Sequence, residues 1–184
     1  MTSSTDIANR ALQMIGDSAI TSIDDSTPRA RECKRAYDAV RRSELRAHKW
    51  NFARTRIVLA PDTDAPAFDF TYQYTWPGDC LRLLPSAEDE WTIEGRKILT
   101  DDGPTLNVRY IKDVEDENEF DAVFAEAFAA RLALEICDRL TGSSGKTQLR
   151  EQFYDAAIKL ARKTGAFEQM SEELPTDDWV LARY

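Results

Sequence analysis

Phe120-Asp-Ala-Val-Phe124-Ala-Glu-Ala-Phe128-Ala-Ala-Arg-Leu132-Ala-Leu-Glu-Ile136 is the stretch whose reading decides the fold. Phe120, Phe124, Phe128, Leu132 and Ile136 recur at every fourth residue and form one row along a helix. Val123, Ala127, Ala130, Leu134 and Cys137 form a second row beside it. Two adjacent rows make an apolar surface wider than a single seam, so this helix must be packed against other helices. The acidic residues 113–119 just before it are expected to open the helix, because carboxylates favour the positive end of the helix dipole.

Downstream, residues 141–145 break the pattern. Leu149, Phe153, Ala156, Leu160 and Thr164 then repeat at steps of three and four, predicting a further helix that turns these residues inward and sets Asp155 against Lys159. Residues 168–184 contain Pro175 and five acids and close on Trp179, Val180, Leu181 and Tyr184, which reads as an extended tail.

Upstream, from residue 54 to 111, the period falls to two, and Pro61, Pro66, Pro77, Gly78, Pro85, Gly95, Gly103 and Pro104 punctuate short runs. Phe68, Phe70, Tyr72, Tyr74 and Trp76 alternate with polar residues, predicting one strand with every aromatic on the same face. Residues 91–94 and 96–100 flank Gly95 as a hairpin would, and Leu106, Val108 and Tyr110 alternate again, so the middle reads as a small antiparallel meander.

Closer to the N-terminus, Ile7, Ala8, Ala11, Leu12 and Ile15 mark one face of a short helix ended by Gly16. Thr27 and Pro28 are the N-cap and first position of a second helix running to about residue 49. Its apolar side is Ala30, Cys33, Tyr37, Val40 and Ala47, while Arg31, Lys34, Arg35, Arg41, Arg42 and Arg46 crowd the rest. The expected fold class is therefore α+β: a four-helix bundle from residues 1–53 and 112–167, a small antiparallel β-sheet region, 54–111, inserted between helices 2 and 3, and an extended C-terminal tail, 168–184.

At 184 residues, with 42% hydrophobic and 31% charged, the chain has ordinary globular usage, which excludes disordered and collagen-like classes. No run approaches the roughly 18 apolar residues of a membrane span, and no signal-like leader is visible, so a membrane partner is not expected and assembly belongs to a cytoplasm. Cys33, Cys80 and Cys137 lack metal-ligand spacing and read as buried thiols. Charge is polarised. Residues 1–60 hold 11 Lys/Arg against 7 Asp/Glu, or +4, and residues 61–184 hold 13 against 26, or −13, which sum to the net −9.

The motifs that suggest chemistry do not assemble a catalyst. Gly142-Ser-Ser-Gly-Lys-Thr147 matches the end of a phosphate-binding loop, but Leu140 stands where its first glycine belongs, and the segment follows a helix instead of a strand; it reads as a turn between helices. His48 is the single histidine, which rules out a three-histidine metal site, and beside Trp50 and Phe52 it reads as a structural hydrogen-bonding group. The carboxylate pairs Asp24-Asp25, Asp101-Asp102 and Asp177-Asp178 sit in polar turns and carry no acid–base signal. No catalytic residue, metal or cofactor is expected. The basic helix, residues 29–56, holds ten Lys/Arg against Glu32, Asp38 and Glu44 and offers the alternative of a DNA-binding packaging or regulatory subunit.

Ala8-Asn-Arg-Ala-Leu-Gln-Met-Ile-Gly16, Ile20-Thr-Ser-Ile-Asp-Asp25, Ala30-Arg-Glu-Cys33, Tyr37-Asp-Ala-Val-Arg41 and His48-Lys-Trp-Asn-Phe-Ala53 follow one another in an order that resembles the opening of the tail tubular protein A family of short-tailed phages. The likeness continues through Tyr74-Thr-Trp-Pro-Gly-Asp-Cys-Leu-Arg82, Glu94-Gly-Arg-Lys-Ile-Leu-Thr100, Val108-Arg-Tyr110, Phe120-Asp-Ala-Val-Phe124 and Leu140-Thr-Gly-Ser143. It departs at Lys49, where proline is expected, and in the C-terminal tail. The resemblance implies a non-enzymatic head-to-tail adaptor of the virion, assembled as a homo-oligomeric, dodecameric ring between portal protein and tail nozzle protein, through which the genome DNA passes unprocessed. With it come two site expectations: inter-subunit contact through Arg31, Lys34, Arg35, Arg41 and Arg42, and portal contact through Trp179, Leu181 and Tyr184.

Overall fold

A computed structural model of the chain describes residues 2–85 and 90–168. Helix α1, Ser4–Ile15, starts at a capping box in which the Ser3 hydroxyl accepts the Asp6 N–H while the Asp6 carboxylate accepts the Ser3 N–H. It stops where Gly16 takes the left-handed conformation at φ 75°, which leaves its N–H free to bond the last carbonyls. Helix α2, Pro28–Ala47, is capped by the Thr27 side chain with proline in its first turn. It ends two residues short of the expected boundary because His48 is already extended. Ala47 faces solvent, and Leu45 takes its place in the core.

Helix α3, Ala122–Thr141, is the centre of the molecule and packs against α1, α2 and the following helix. The acids 113–119 do not open it. Residues 117–119 form a separate 3-10 turn, and Asp121 caps the helix by accepting the Val123 and Phe124 N–H groups, so Phe120 lies just outside. Phe124, Phe128, Leu132 and Ile136 are buried in one row. Their partners include Trp50, whose ring meets Phe124 edge-on at 4.8 Å, and Tyr37, which meets Phe128 the same way at 5.0 Å.

Helix α4, Ser144–Phe167, corrects the sequence reading. The residues expected inward point out: Leu149 is 45%, Phe153 53% and Leu160 58% exposed, and Ile158 and Ala161 are buried instead, with Tyr154 and Ala157 packed beside them. Two polar anchors explain the rotation. Lys146 Nζ donates to the Ile15 carbonyl at the end of α1, and the Tyr154 hydroxyl donates to Glu44 inside α2, so the opposite side of α4 must face solvent.

The strands form two small antiparallel sheets where a single meander is expected. One has the order β1 (Arg54–Leu59), β6 (Leu106–Lys112), β3 (Cys80–Leu83); the other has the order β2 (Tyr72–Thr75), β5 (Lys97–Thr100), β4 (Trp91–Glu94). Gly95, at φ 59°, closes the expected β4–β5 hairpin. The long aromatic strand contracts to β2, because Asp69 adopts φ 69° and bends the backbone so that the Phe70 N–H reaches the Phe68 carbonyl; Phe68 is left 77% exposed. Tyr74, Ile98, Leu106, Val108 and Tyr110 build a core between the sheets, separate from the helical one. The strand region meets the helices where the Lys112 N–H donates to the Ala53 carbonyl at 2.8 Å, Arg46 donates to the Leu81 carbonyl, and Leu81, Leu84 and Ile111 are buried in the helical core.

Candidate functional site

The exposed side of α2 carries Arg31, Lys34, Arg35, Arg42 and Arg46, on a helix whose start is fixed by the Thr27 cap and Pro28. Four of its five candidate contact residues have a carboxylate on their own chain. Lys34 Nζ lies 2.8 Å from Asp24, Arg35 pairs with Glu32, Arg41 lies 3.0 Å from Asp113, and Arg42 Nε lies 3.2 Å from the other oxygen of Asp113. Arg31 is exposed and has no ion-pair partner among the described residues. Arg41 separates from the rest, because it is turned inward at 4% exposure. Its guanidinium donates to the Val114 carbonyl at 2.5 Å and sits between Asp113 and Asp38, pinning the segment that leads into α3 onto α2. Trp179, Leu181 and Tyr184 lie outside the described residues.

A second polar cluster is buried where α2, α3 and α4 meet. Glu44 accepts from Tyr154 at 2.9 Å, and Arg131 Nε lies 3.7 Å away; the other carboxylate oxygen of Glu44 has no hydrogen-bond partner among the described residues. Burial pushes the Glu44 carboxyl above its ordinary value, against the opposing pull of the Tyr154 hydrogen bond and of Arg131 and Arg162. Tyr154 is pushed up to about 12, chiefly by burial and by donating to Glu44. Sequence reading missed this cluster because a glutamate on a basic helix looks like surface.

The motifs with chemical overtones have structural occupations. Gly142 ends α3 at φ 59°, Ser143 caps α4 by accepting the Lys146 N–H, and Lys146 is tied to Ile15. His48 packs edge-on against Trp50 at 4.8 Å, a ring contact where a hydrogen bond is expected, and burial with nearby Arg162, Arg82 and Lys49 lowers its pKa. Asp25 accepts the Thr21 and Ser22 N–H groups, Asp24 holds Lys34, and Asp101 accepts from both the backbone and hydroxyl of Thr71. Asp177 and Asp178 lie outside the described residues. Among the described residues no group of three or more His, Cys, Asp or Glu is placed to hold a metal ion, and no helix is long and apolar enough to cross a membrane.

Surfaces able to meet other molecules are of two kinds. A groove of about 390 Å3 runs between α2 and α3, with Ala36, Ala39 and Ile136 in its floor and Arg35, Arg131 and Glu135 on its rim. Apolar side chains also project from α4 and from Phe68 at the edge of the strand region. No protein-family model matches this chain, and no curated protein matches it.

Proposed function

We propose that the chain is a structural head-to-tail adaptor subunit of a phage particle, forming a homo-oligomeric ring between portal protein and tail nozzle protein through which DNA passes. On this reading the helices act as a bundle with the strand region inserted between its second and third helices, and the protein resides in the neck of the virion after assembly in the host cytoplasm. No catalysis or cofactor is required.

The observation that carries the proposal is the exposed apolar face. A chain of this size with a closed helical core still presents Leu149, Phe153, Leu160 and Phe167 along one face of a single helix, with Phe68 exposed separately on the strand region, and an apolar stripe of this kind serves association. The ordered resemblance to the tail tubular protein A family supports the same reading. The cations of α2 favour it over duplex binding, since four of the five candidate contacts already neighbour a carboxylate. Mass in solution tests the proposal. The chain mixed with portal protein is expected to form a closed complex of fixed stoichiometry; a chain that stays monomeric at every portal concentration overturns it.

A further inference from the structure

Helix α4 carries two apolar faces. At 100° per residue, Tyr154, Ile158 and Ala161 point toward α3, and Leu149, Phe153, Ala156, Leu160 and Phe167 form a straight stripe about 150° away from them. Phe167, at 78% exposed, is the least covered of these side chains. The stripe is edged by cations. Arg150 lies over the Phe153 ring at 4.4 Å and Lys163 over the Phe167 ring at 5.8 Å, and Lys159 is exposed at the same edge as Lys163. Arg150, Lys159 and Lys163 form no ion pair among the described residues.

An occupant must therefore be apolar and acidic at once. A second α4 fails the charge requirement, because face-to-face pairing would bring the cationic edges together. The chain's own residues 169–184 meet both requirements: Leu174, Trp179, Val180, Leu181 and Tyr184 are apolar, and Glu172, Glu173, Asp177 and Asp178 face a single base, Arg183. They also start at the end of the stripe. The ten residues 169–178 span at most about 35 Å when extended, and the stripe from Leu149 to Phe167 is about 27 Å long, so Trp179 can reach every part of it. Attachment through so short a linker raises the effective concentration of the segment to the millimolar range.

We propose that in the free subunit residues 174–184 of the same chain lie along the α4 stripe, with the tail's acids against Arg150, Lys159 and Lys163. The cover forms in any free subunit, whether or not that subunit later joins a ring. Any partner that takes Trp179, Leu181 and Tyr184 uncovers the stripe, so engagement of the tail and exposure of α4 are one event.

Paramagnetic broadening in the full chain tests this. The three native cysteines are buried, so a nitroxide on Lys159→Cys labels one site at the edge of the stripe. The indole N–H signal of Trp179, identified by its disappearance in Trp179→Phe, is expected to be lost with the active label and to return when the label is reduced. It is expected to persist in labelled protein that also carries Phe153→Asp and Leu160→Asp, exposed positions whose change leaves the helical circular dichroism intact. Reversing Glu172, Glu173, Asp177 and Asp178 to lysine should preserve the signal without touching α4. An unbroadened Trp179 overturns the proposal. So does a loss that survives both sets of substitutions. Broadening seen only between spin-labelled and isotope-labelled molecules in a mixture makes a second copy the occupant and overturns it too.

Discussion

The Tyr154 phenol on α4 donates a 2.9 Å hydrogen bond to Glu44 Oε1 on α2, so two helices far apart in sequence are joined through a carboxylate that is 4% exposed. Removing the donor leaves that oxygen buried without its bond. Tyr154→Phe is expected to lower stability by about 1–3 kcal/mol, read as a shift in the urea midpoint at unchanged slope.

Glu44 also makes stability depend on pH. Its folded pKa is raised above the ordinary glutamate value, so the folded state holds the proton more tightly than the unfolded chain. The contribution is full below the unfolded pKa, near 4.5, and is lost as pH rises through the folded pKa. Glu44→Gln keeps the acceptor for Tyr154 and removes the charge. Its stability relative to the parent should rise from pH 4 to pH 7; a difference that is flat or falls over that range contradicts the assignment.

Neighbouring arginines on α2 should differ sharply. Arg41 is buried against Asp113 and Val114, and Arg41→Ala leaves the Val114 carbonyl without its donor and Asp113, whose side chain is 12% exposed, with only the exposed Arg42; a loss of about 3 kcal/mol is expected. Arg42 is solvent-exposed although it touches the same aspartate, and Arg42→Ala should cost no more than about 1 kcal/mol. Equal denaturant midpoints for the two variants would contradict the burial.

The phenylalanines of α3 and α4 give a second contrast. Phe128→Ala empties a fully buried site and should cost about 3–5 kcal/mol, whereas Phe153→Ala, on the exposed stripe, should cost less than about 1 kcal/mol. Thermal unfolding of the two variants measures the difference directly.

Cys33 and Cys80 are buried, and burial pushes both thiols up to about 11. At pH 8 neither should react with an aromatic disulfide reagent until denaturant is added. Fast labelling of the folded chain would show that these helices or strands open readily.

The helical half was the more legible part of the sequence. Gly16, Thr27 and Pro28 act through local backbone chemistry and marked their helix ends correctly, and the four-residue row of α3 is buried almost throughout. The rotation of α4 was not legible, since both of its sides are apolar at helical spacing and the choice depends on Lys146 and Tyr154 reaching residues over a hundred positions away. The strand region departs from its alternation for a related reason. Alternation from Phe68 to Trp76 carries a period but no register, and a single left-handed residue, Asp69, ends the strand. Of the candidate contacts, Arg41 could not be told from Arg42 by sequence, because adjacent positions on a helix point about 100° apart and only one of these meets Asp113 from inside.

The 2.8 Å bond from Lys112 to Ala53 joins the residue just before β1 to the last residue of β6, beside Leu81, Leu84 and Ile111, which are buried among the helices. Closing a longer loop between fixed ends costs only about 0.6 kcal/mol for each doubling of its length. The turns of the strand region far from that contact, such as the one at Gly95, can therefore be lengthened or recombined to suit a different neighbour, whereas Leu81, Leu84 and Ile111 are held to their size by the helices they pack against.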